Sequence, residues 1–206
     1  MLTAGWQTLV LWDVATGQIV RTFHGHSSYI MDVRVSPDAR TAVSAERDNV
    51  FIRWRLDTTN PVRVIPPNMQ AVDQLVPQCQ LHAVSLGADG NVAFCSYDNR
   101  DAVRHRKEEG RSVLALWNLE TGEPLAVNPG RSPCCNAVHL DADRQVSLTG
   151  DALDGRIMLW DLSTGQVVRD MTADTNSEYK VNSISAVLLS ADGRHILSSA
   201  NQVVVW

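Results

Sequence analysis

The stretch Gly25-His26-Ser27-Ser28-Tyr29-Ile30-Met31-Asp32-Val33-Arg34-Val35-Ser36-Pro37-Asp38-Ala39-Arg40-Thr41-Ala42-Val43-Ser44-Ala45-Glu46-Arg47-Asp48-Asn49-Val50-Phe51-Ile52-Arg53-Trp54 decides the fold. Within it Asp32-Val33-Arg34-Val35 alternates polar and apolar side chains, the two-residue period of a strand with one face buried. Ser36-Pro37-Asp38-Ala39 supplies turn residues, and Thr41-Ala42-Val43-Ser44-Ala45 reads as a second extended run. Asp48-Asn49 tolerates a left-handed backbone, and Val50 to Leu56 forms a third strand. Connections this short join only antiparallel strands, because a parallel pair needs a crossover of about a dozen residues. The stretch is therefore an antiparallel meander.

Moving outward, tryptophans mark an internal repeat. Leu11-Trp12-Asp13, Arg53-Trp54-Arg55, Leu116-Trp117-Asn118, Leu159-Trp160-Asp161 and Val205-Trp206 lie 42, 63, 43 and 46 residues apart. Three of them are followed by Ala15-Thr16-Gly17-Gln18, Glu120-Thr121-Gly122-Glu123 and Ser163-Thr164-Gly165-Gln166, where glycine can supply the positive φ of a tight hairpin. A second set of turns, Pro37-Asp38, Ala88-Asp89-Gly90, Ala142-Asp143 and Ala191-Asp192-Gly193, precedes the last four tryptophans. A period of about forty residues with four strands in each is the signature of propeller blades.

On these residues the chain resembles the WD-repeat β-propellers over nearly its whole length. The resemblance implies an all-β fold of antiparallel four-stranded blades. Each blade runs from an innermost strand a to an outermost strand d, with Trp-Asp closing strand c. Read this way, the chain divides into a partial blade over 1–24, blades over 25–66, 67–127 and 128–171, and a partial blade over 172–206. Met1 to Gly5 would then be a strand b without its strand a, and Trp206 would close a strand c without its strand d. The ring is accordingly expected to be incomplete, as in a fragment of a longer propeller or a chain completed by a neighbour.

The family's buried hydrogen-bond tetrad maps onto His26, Ser44, Asp48 and Trp54. An indole donates, a carboxylate accepts, and an imidazole between hydroxyl and carboxylate does both, so every polar group is satisfied away from water. Elsewhere Pro77, Arg131 and Lys180 fall at the histidine position, and Cys95, Thr149 and Ser198 at the hydroxyl position. The acidic member is sought in Asp98-Asn99 and Asp154-Gly155, and Asn201-Gln202 replaces it in the last unit. These residues are expected to serve packing.

The long interval between Trp54 and Trp117 holds two additions. Ile65 to Gln74, with Pro66-Pro67, lengthens the d-to-a connection and reads as a loop or an edge. Asn99 to Arg111 replaces a short b-to-c turn, and a connection of that length in a compact domain is functional or disordered. In the family both connections lie on one face of the disc. Arg100, Arg104, His105, Arg106, Lys107 and Glu108 are therefore the candidate partner-binding loop.

Composition and motifs narrow the function. The formal net charge of -5 over 206 residues argues against a general nucleic-acid surface, leaving that role to Arg104, His105, Arg106 and Lys107 beside Glu108 and Glu109. No segment approaches the ~20 apolar residues of a membrane span, and Met1 to Val10 has neither a basic start nor an apolar run. Cys79, Cys95, Cys134 and Cys135 form no Cys-x-x-Cys pair, so thiols of a reducing compartment are expected, with a cytoplasmic location and the nucleus as alternative. His24 and His26 lack a third ligand, and no nucleophile elbow, phosphate loop or His-Glu-x-x-His helix is present, so neither metal nor cofactor is expected. A propeller enzyme would need acids or histidines converging at the inner ends of the a strands, where Asp32, Asn136 and Asn182 fall. The expected function is a non-enzymatic scaffold for other proteins or peptides. The alternatives are a regulatory propeller attached to a nucleotide-driven switch domain and, with less support, a propeller enzyme.

Overall fold

The computed structural model describes residues 1–58, 61–75, 79–98, 112–129, 135–151, 155–172, 183–200 and 203–206. The repeat folds into five antiparallel sheets whose strands are neighbours in chain order. The first contains β1 (Leu2–Ala4), β2 (Thr8–Trp12) and β3 (Ile19–His24). The second contains β4 (Ile30–Val35), β5 (Thr41–Glu46), β6 (Phe51–Arg55) and β7 (Pro61–Ile65). The third follows a short helix, α1 (Gln70–Leu75), and contains β8 (Gln80–Leu86), β9 (Val92–Asp98), β10 (Val113–Asn118) and β11 (Pro124–Pro129). The fourth contains β12 (Cys135–Asp141), β13 (Val146–Asp151), β14 (Arg156–Asp161) and β15 (Gln166–Thr172). The fifth contains β16 (Ala186–Leu189), β17 (Ile196–Ser199) and β18 (Val203–Val205).

The sheets stack as propeller blades because each is apolar on both faces. One core joins Leu9 and Phe23 of the first sheet to Ala42, Ile52 and Trp54 of the second. A larger one joins Val43, Phe51 and Ile65 of the second to Leu81, Tyr97 and Trp117 of the third. Two more follow, around Phe94, Leu114, Met158 and Trp160, and around Leu148, Ile157, Ile184 and Val187. The inner strands β4, β8, β12 and β16 meet in sequence, and β5, β9 and β13 each touch the inner strand of the next sheet. β1 touches β4 in the same way, which gives it the place of a strand b. No strand pairing links the first sheet to the fifth among the described residues, so the ring is open between them.

The turn chemistry follows the residues. Gly17, Gly122 and Gly165 have φ of 70°, 80° and 69° in the three Thr-Gly hairpins, and Asn49 has φ 66° after Asp48. The connection through Pro66 and Pro67 departs from the expected loop. Asn68 accepts the Gln70 N–H at 3.3 Å through its side-chain oxygen and donates its own N–H to Gly122 O at 2.9 Å, and α1 then buries Val72 in the core between the second and third sheets. Prolines ended β7 as expected, but one apolar residue beneath the connection was enough to fold it inward.

Arginines fasten neighbouring sheets. Arg21 donates to Leu56 O at 3.1 Å, Arg53 to Gly90 O at 3.1 Å, and Arg144 to Ala191 O. The fourth and fifth sheets also approach closely at Gly150, where a Cβ would lie 2.8 Å from Ile184 Cβ. Gly150→Ala is expected to overpack this junction and lower stability by about 1–3 kcal/mol, read as a drop in the urea midpoint. An unchanged midpoint would mean that the two sheets do not pack in solution.

Candidate functional site

A buried polar chain runs through the second sheet. Trp54 Nε1 donates to Ser44 Oγ at 2.8 Å, His26 Nε2 lies 2.5 Å from the same oxygen, and His26 Nδ1 lies 2.8 Å from Glu46 Oε2. The acidic member is therefore Glu46, which replaces the expected Asp48; Asp48 is exposed in the turn beyond β5. Alternation gives the reason: Ser44 and Glu46 are two residues apart in one strand and share a face, whereas Asp48 lies past the strand's end. Burial of the Glu46 carboxylate is compensated by the Ser27 and Ser28 N–H groups at 3.0 and 3.1 Å and the Ser27 hydroxyl at 3.3 Å.

The donors dictate the charge state of His26. With Ser44 Oγ already accepting from the indole, its hydroxyl can donate to Nε2 while Nδ1–H donates to Glu46, which satisfies a neutral ring. Burial lowers the His26 pKa from 6.5, opposed by the Glu46 hydrogen bond and charge. A histidine with a depressed folded-state value contributes stability that is present above pH 6.5 and is lost as pH falls from there toward that value.

The other sheets keep only part of this chain. Trp12 donates to Thr3 Oγ1 at 2.7 Å, Trp160 to Thr149 Oγ1 at 2.9 Å and Trp206 to Ser198 Oγ at 2.9 Å. In the third sheet Cys95 replaces the hydroxyl, and Trp117 Nε1 has no hydrogen-bond partner among the described residues. Tyr97 fills the space with its ring edge-on to Trp117, centroids 6.4 Å apart. Burial and the neighbouring Cys95 push its phenol well above the ordinary value. Pro77, Arg131, Lys180, Asn99, Asp154, Asn201 and Gln202 lie outside the described residues.

Inner-strand bulges build the face above. Pairing skips one residue between Ile30 and Asp32, between Leu81 and Ala83, and between Cys135 and Ala137. Met31, His82 and Asn136 thus stand out of register at one end of three successive sheets. Their strands begin opposite Glu46, Asp98 and Asp151, so the d-to-a and b-to-c connections share this end. His82 Nδ1 lies 3.1 Å from Asp98 Oδ2, His82 Nε2 lies 2.5 Å from Asn136 Oδ1, and Asn136 Nδ2 donates to Ser183 Oγ at 3.3 Å. A polar row therefore runs from the third sheet to the threshold of the fifth.

Asp32 does not join that row. Its Oδ1 accepts from Val33 N at 2.8 Å and Arg34 at 3.2 Å, and its Oδ2 from Leu86 N at 3.3 Å. Burial raises its pKa, with Arg34 opposing. Asn182 and the candidate loop residues Arg100, Arg104, His105, Arg106, Lys107 and Glu108 lie outside the described residues; β9 ends at Asp98 and β10 begins at Val113, on this same face. Sequence reasoning missed His82, which lies two residues after the start of β8, whereas Asn136 directly follows the start of β12. It also missed Trp6 and Tyr29, which are exposed here and pack edge-on at 4.7 Å.

Among the described residues no group of three or more His, Cys, Asp or Glu is placed to hold a metal, and no helix is long and apolar enough to cross a membrane. The Cys79 thiol is pushed up to about 12 by burial and Asp73, which makes it a poor nucleophile.

The family model described as "WD domain, G-beta repeat" matches residues 17–55, the stretch that holds the polar chain. The chain is 23% identical to Autophagy-related protein 16 of Arabidopsis thaliana over 194 residues, covering 94% of this chain and 33% of that protein. It is 26% identical to Pre-mRNA-processing factor 19 of Caenorhabditis elegans over 164 residues, covering 78% and 29%. To Nuclear distribution protein PAC1 of Arthroderma otae it is 40% identical over 55 residues, covering 27% and 12%. The chain thus spans about a third or less of the length of these curated relatives. Sheets, turns and repeat define a β-propeller architecture with indole-to-hydroxyl bonds inside its blades. In this the chain resembles the WD-repeat family, whose model it matches over residues 17–55.

Two outcomes test the buried chain. Glu46→Ala is expected to cost about 1–3 kcal/mol, because it strands the donors of His26, Ser27 and Ser28, while Asp48→Ala stays within about 0.5 kcal/mol. Denaturation midpoints decide it, and equal midpoints would return the acidic role to Asp48. Between pH 7 and 5, His26→Asn should lose less stability than the parent, since the titrating ring is gone. Parallel stability curves for the two would detach the pH dependence from His26.

Proposed function

We propose that this chain is a non-enzymatic platform that holds a partner protein or peptide on the face of the inner-strand bulges. The observation that carries this reading is the row Met31, His82 and Asn136, which brings side chains of three sheets to one rim. The sequence 99–111 leaves β9 on the same face and carries both signs of charge, which suits encounter and specificity. Asp32 is committed to three donors and His82 is engaged at both ring nitrogens, which favours recognition over proton transfer. The relatives are named for autophagy, pre-mRNA processing and nuclear distribution, and a cytoplasmic or nuclear location accords with those names and with the free buried thiols Cys79, Cys95 and Cys135.

Replacing 99–111 by Asn-Gly, a pair suited to a two-residue hairpin turn, should abolish partner capture from a cell lysate while circular dichroism stays that of the parent. Capture by the parent should weaken as salt rises. An unchanged set of partners would move the site to another face.

A further inference from the structure

Among the described residues the exposed aromatic side chains are Trp6, 71% exposed, and Tyr29, 44% exposed. Trp6 sits in the turn between β1 and β2, Tyr29 just before β4, and Met31, 40% exposed, follows at the bulge. The backbone beneath them is fixed. Trp6 O accepts the Ile30 N–H at 3.0 Å, Tyr29 O accepts the Arg47 N–H at 2.9 Å, and Gln7 Nε2 donates to Ser27 O at 2.7 Å. Tyr29 meets Trp6 edge to face, at an interplanar angle of 62°, and the indole stays largely exposed in this packing. A rigid indole held in the open gives contact area at little conformational cost, which is the property that enriches Trp and Tyr at binding hot spots.

Charge decides what would cover it. The face of an indole attracts cations, a planar guanidinium most readily because it also stacks. Asp48 is exposed in the turn that follows β5, one residue from the Arg47 amide that holds Tyr29, and has no ion pair among the described residues. The Arg47 guanidinium is turned to Gln80 Oε1 of the third sheet at 3.4 Å. The chain's formal net charge of -5 adds a general attraction for basic segments.

We propose that Trp6 and Tyr29 form an anchor for an arginine side chain in an extended segment of a partner protein, with Asp48 supplying the opposing charge and Met31 receiving an adjacent apolar side chain. The assignment rests on the reading of this face as the partner-binding surface and names the chemistry of the partner.

The probe is a fluorescein-labelled peptide, Gly-Ser-Leu-Arg-Leu-Arg-Ser-Gly, with versions carrying lysine or glutamate in place of both arginines, followed by anisotropy on the full chain. The arginine peptide should bind several-fold more tightly than the lysine one, and the glutamate peptide should not bind. Trp6→Ala should weaken the arginine peptide about 10-fold or more and Trp6→Phe only about 2- to 3-fold, with the melting temperature unchanged because the indole is exposed. Asp48→Asn should weaken it about 3-fold and flatten its salt dependence. Equal binding by Trp6→Ala, or equal binding of the arginine and glutamate peptides, overturns the anchor. If the arginine peptide fails while replacement of 99–111 still removes lysate partners, the anchor falls and the platform stands. If neither change matters, both fall.

Discussion

Everything in this fold leans on the hydrogen bond from a strand-c indole to a strand-b hydroxyl. A tryptophan brings more apolar area than any other side chain, but its N–H is costly to bury without an acceptor. Trp54 finds Ser44, Trp160 finds Thr149, Trp12 finds Thr3 and Trp206 finds Ser198. With the N–H satisfied, Trp54 fills the junction with the sheet before it, packing against Leu9 and Phe23. The same direction recurs with Trp117 against the second sheet and Trp160 against the third. In four of the five sheets one polar contact thus licenses the apolar contact between sheets, and in the third Trp117 packs without one among the described residues.

The same tryptophans mark the outer limit of each blade. Pairing between strands c and d skips a residue beside Trp12, Trp54, Trp117 and Trp160. A bulge there leaves Val20, Leu125 and Val168 exposed on the outermost strands, and it bends those strands away from further pairing. The inner bulges at Met31, His82 and Asn136 do the opposite job. They push side chains out of register at the end of the sheets that holds the d-to-a and b-to-c connections. Each blade is therefore bounded by two irregularities, one that closes an edge and one that presents a surface.

The architecture was largely legible in the sequence because tight turns and recurrent Trp are local signals. Strand positions and the glycine turns could be read from the residues, and the hydroxyl partners Ser44, Thr149 and Ser198 from the family resemblance. The acidic partner could not be read so simply. The resemblance pointed to Asp48, but strand alternation from Ser44 leads to Glu46, and β5 runs one residue past Ala45 to include it. α1 was hidden by Pro66 and Pro67, since nothing nearby in the chain announces the core that receives Val72. His82, Trp6 and Tyr29 were invisible for a different reason: a bulge is a property of two paired strands, and exposure is a property of the stacked sheets. Neither is written in one strand.

The third sheet shows how a one-residue step along a strand moves an acid from the indole side of the sheet to the rim. Two residues after the hydroxyl position, the second sheet has Glu46 and the fourth has Asp151, both buried. The third sheet has Tyr97 there, which fills the core with a ring and leaves Trp117 Nε1 without an acceptor among the described residues. Its acid comes one residue later, at Asp98. Because side chains alternate across a strand, that single step turns the carboxylate to the opposite face. There it meets His82, and through Asn136 and Ser183 it becomes the root of the polar row on the rim. The sheet gives up a buried relay like that of Glu46, His26 and Ser44. In exchange it holds a histidine in place at the face that 99–111 adjoins.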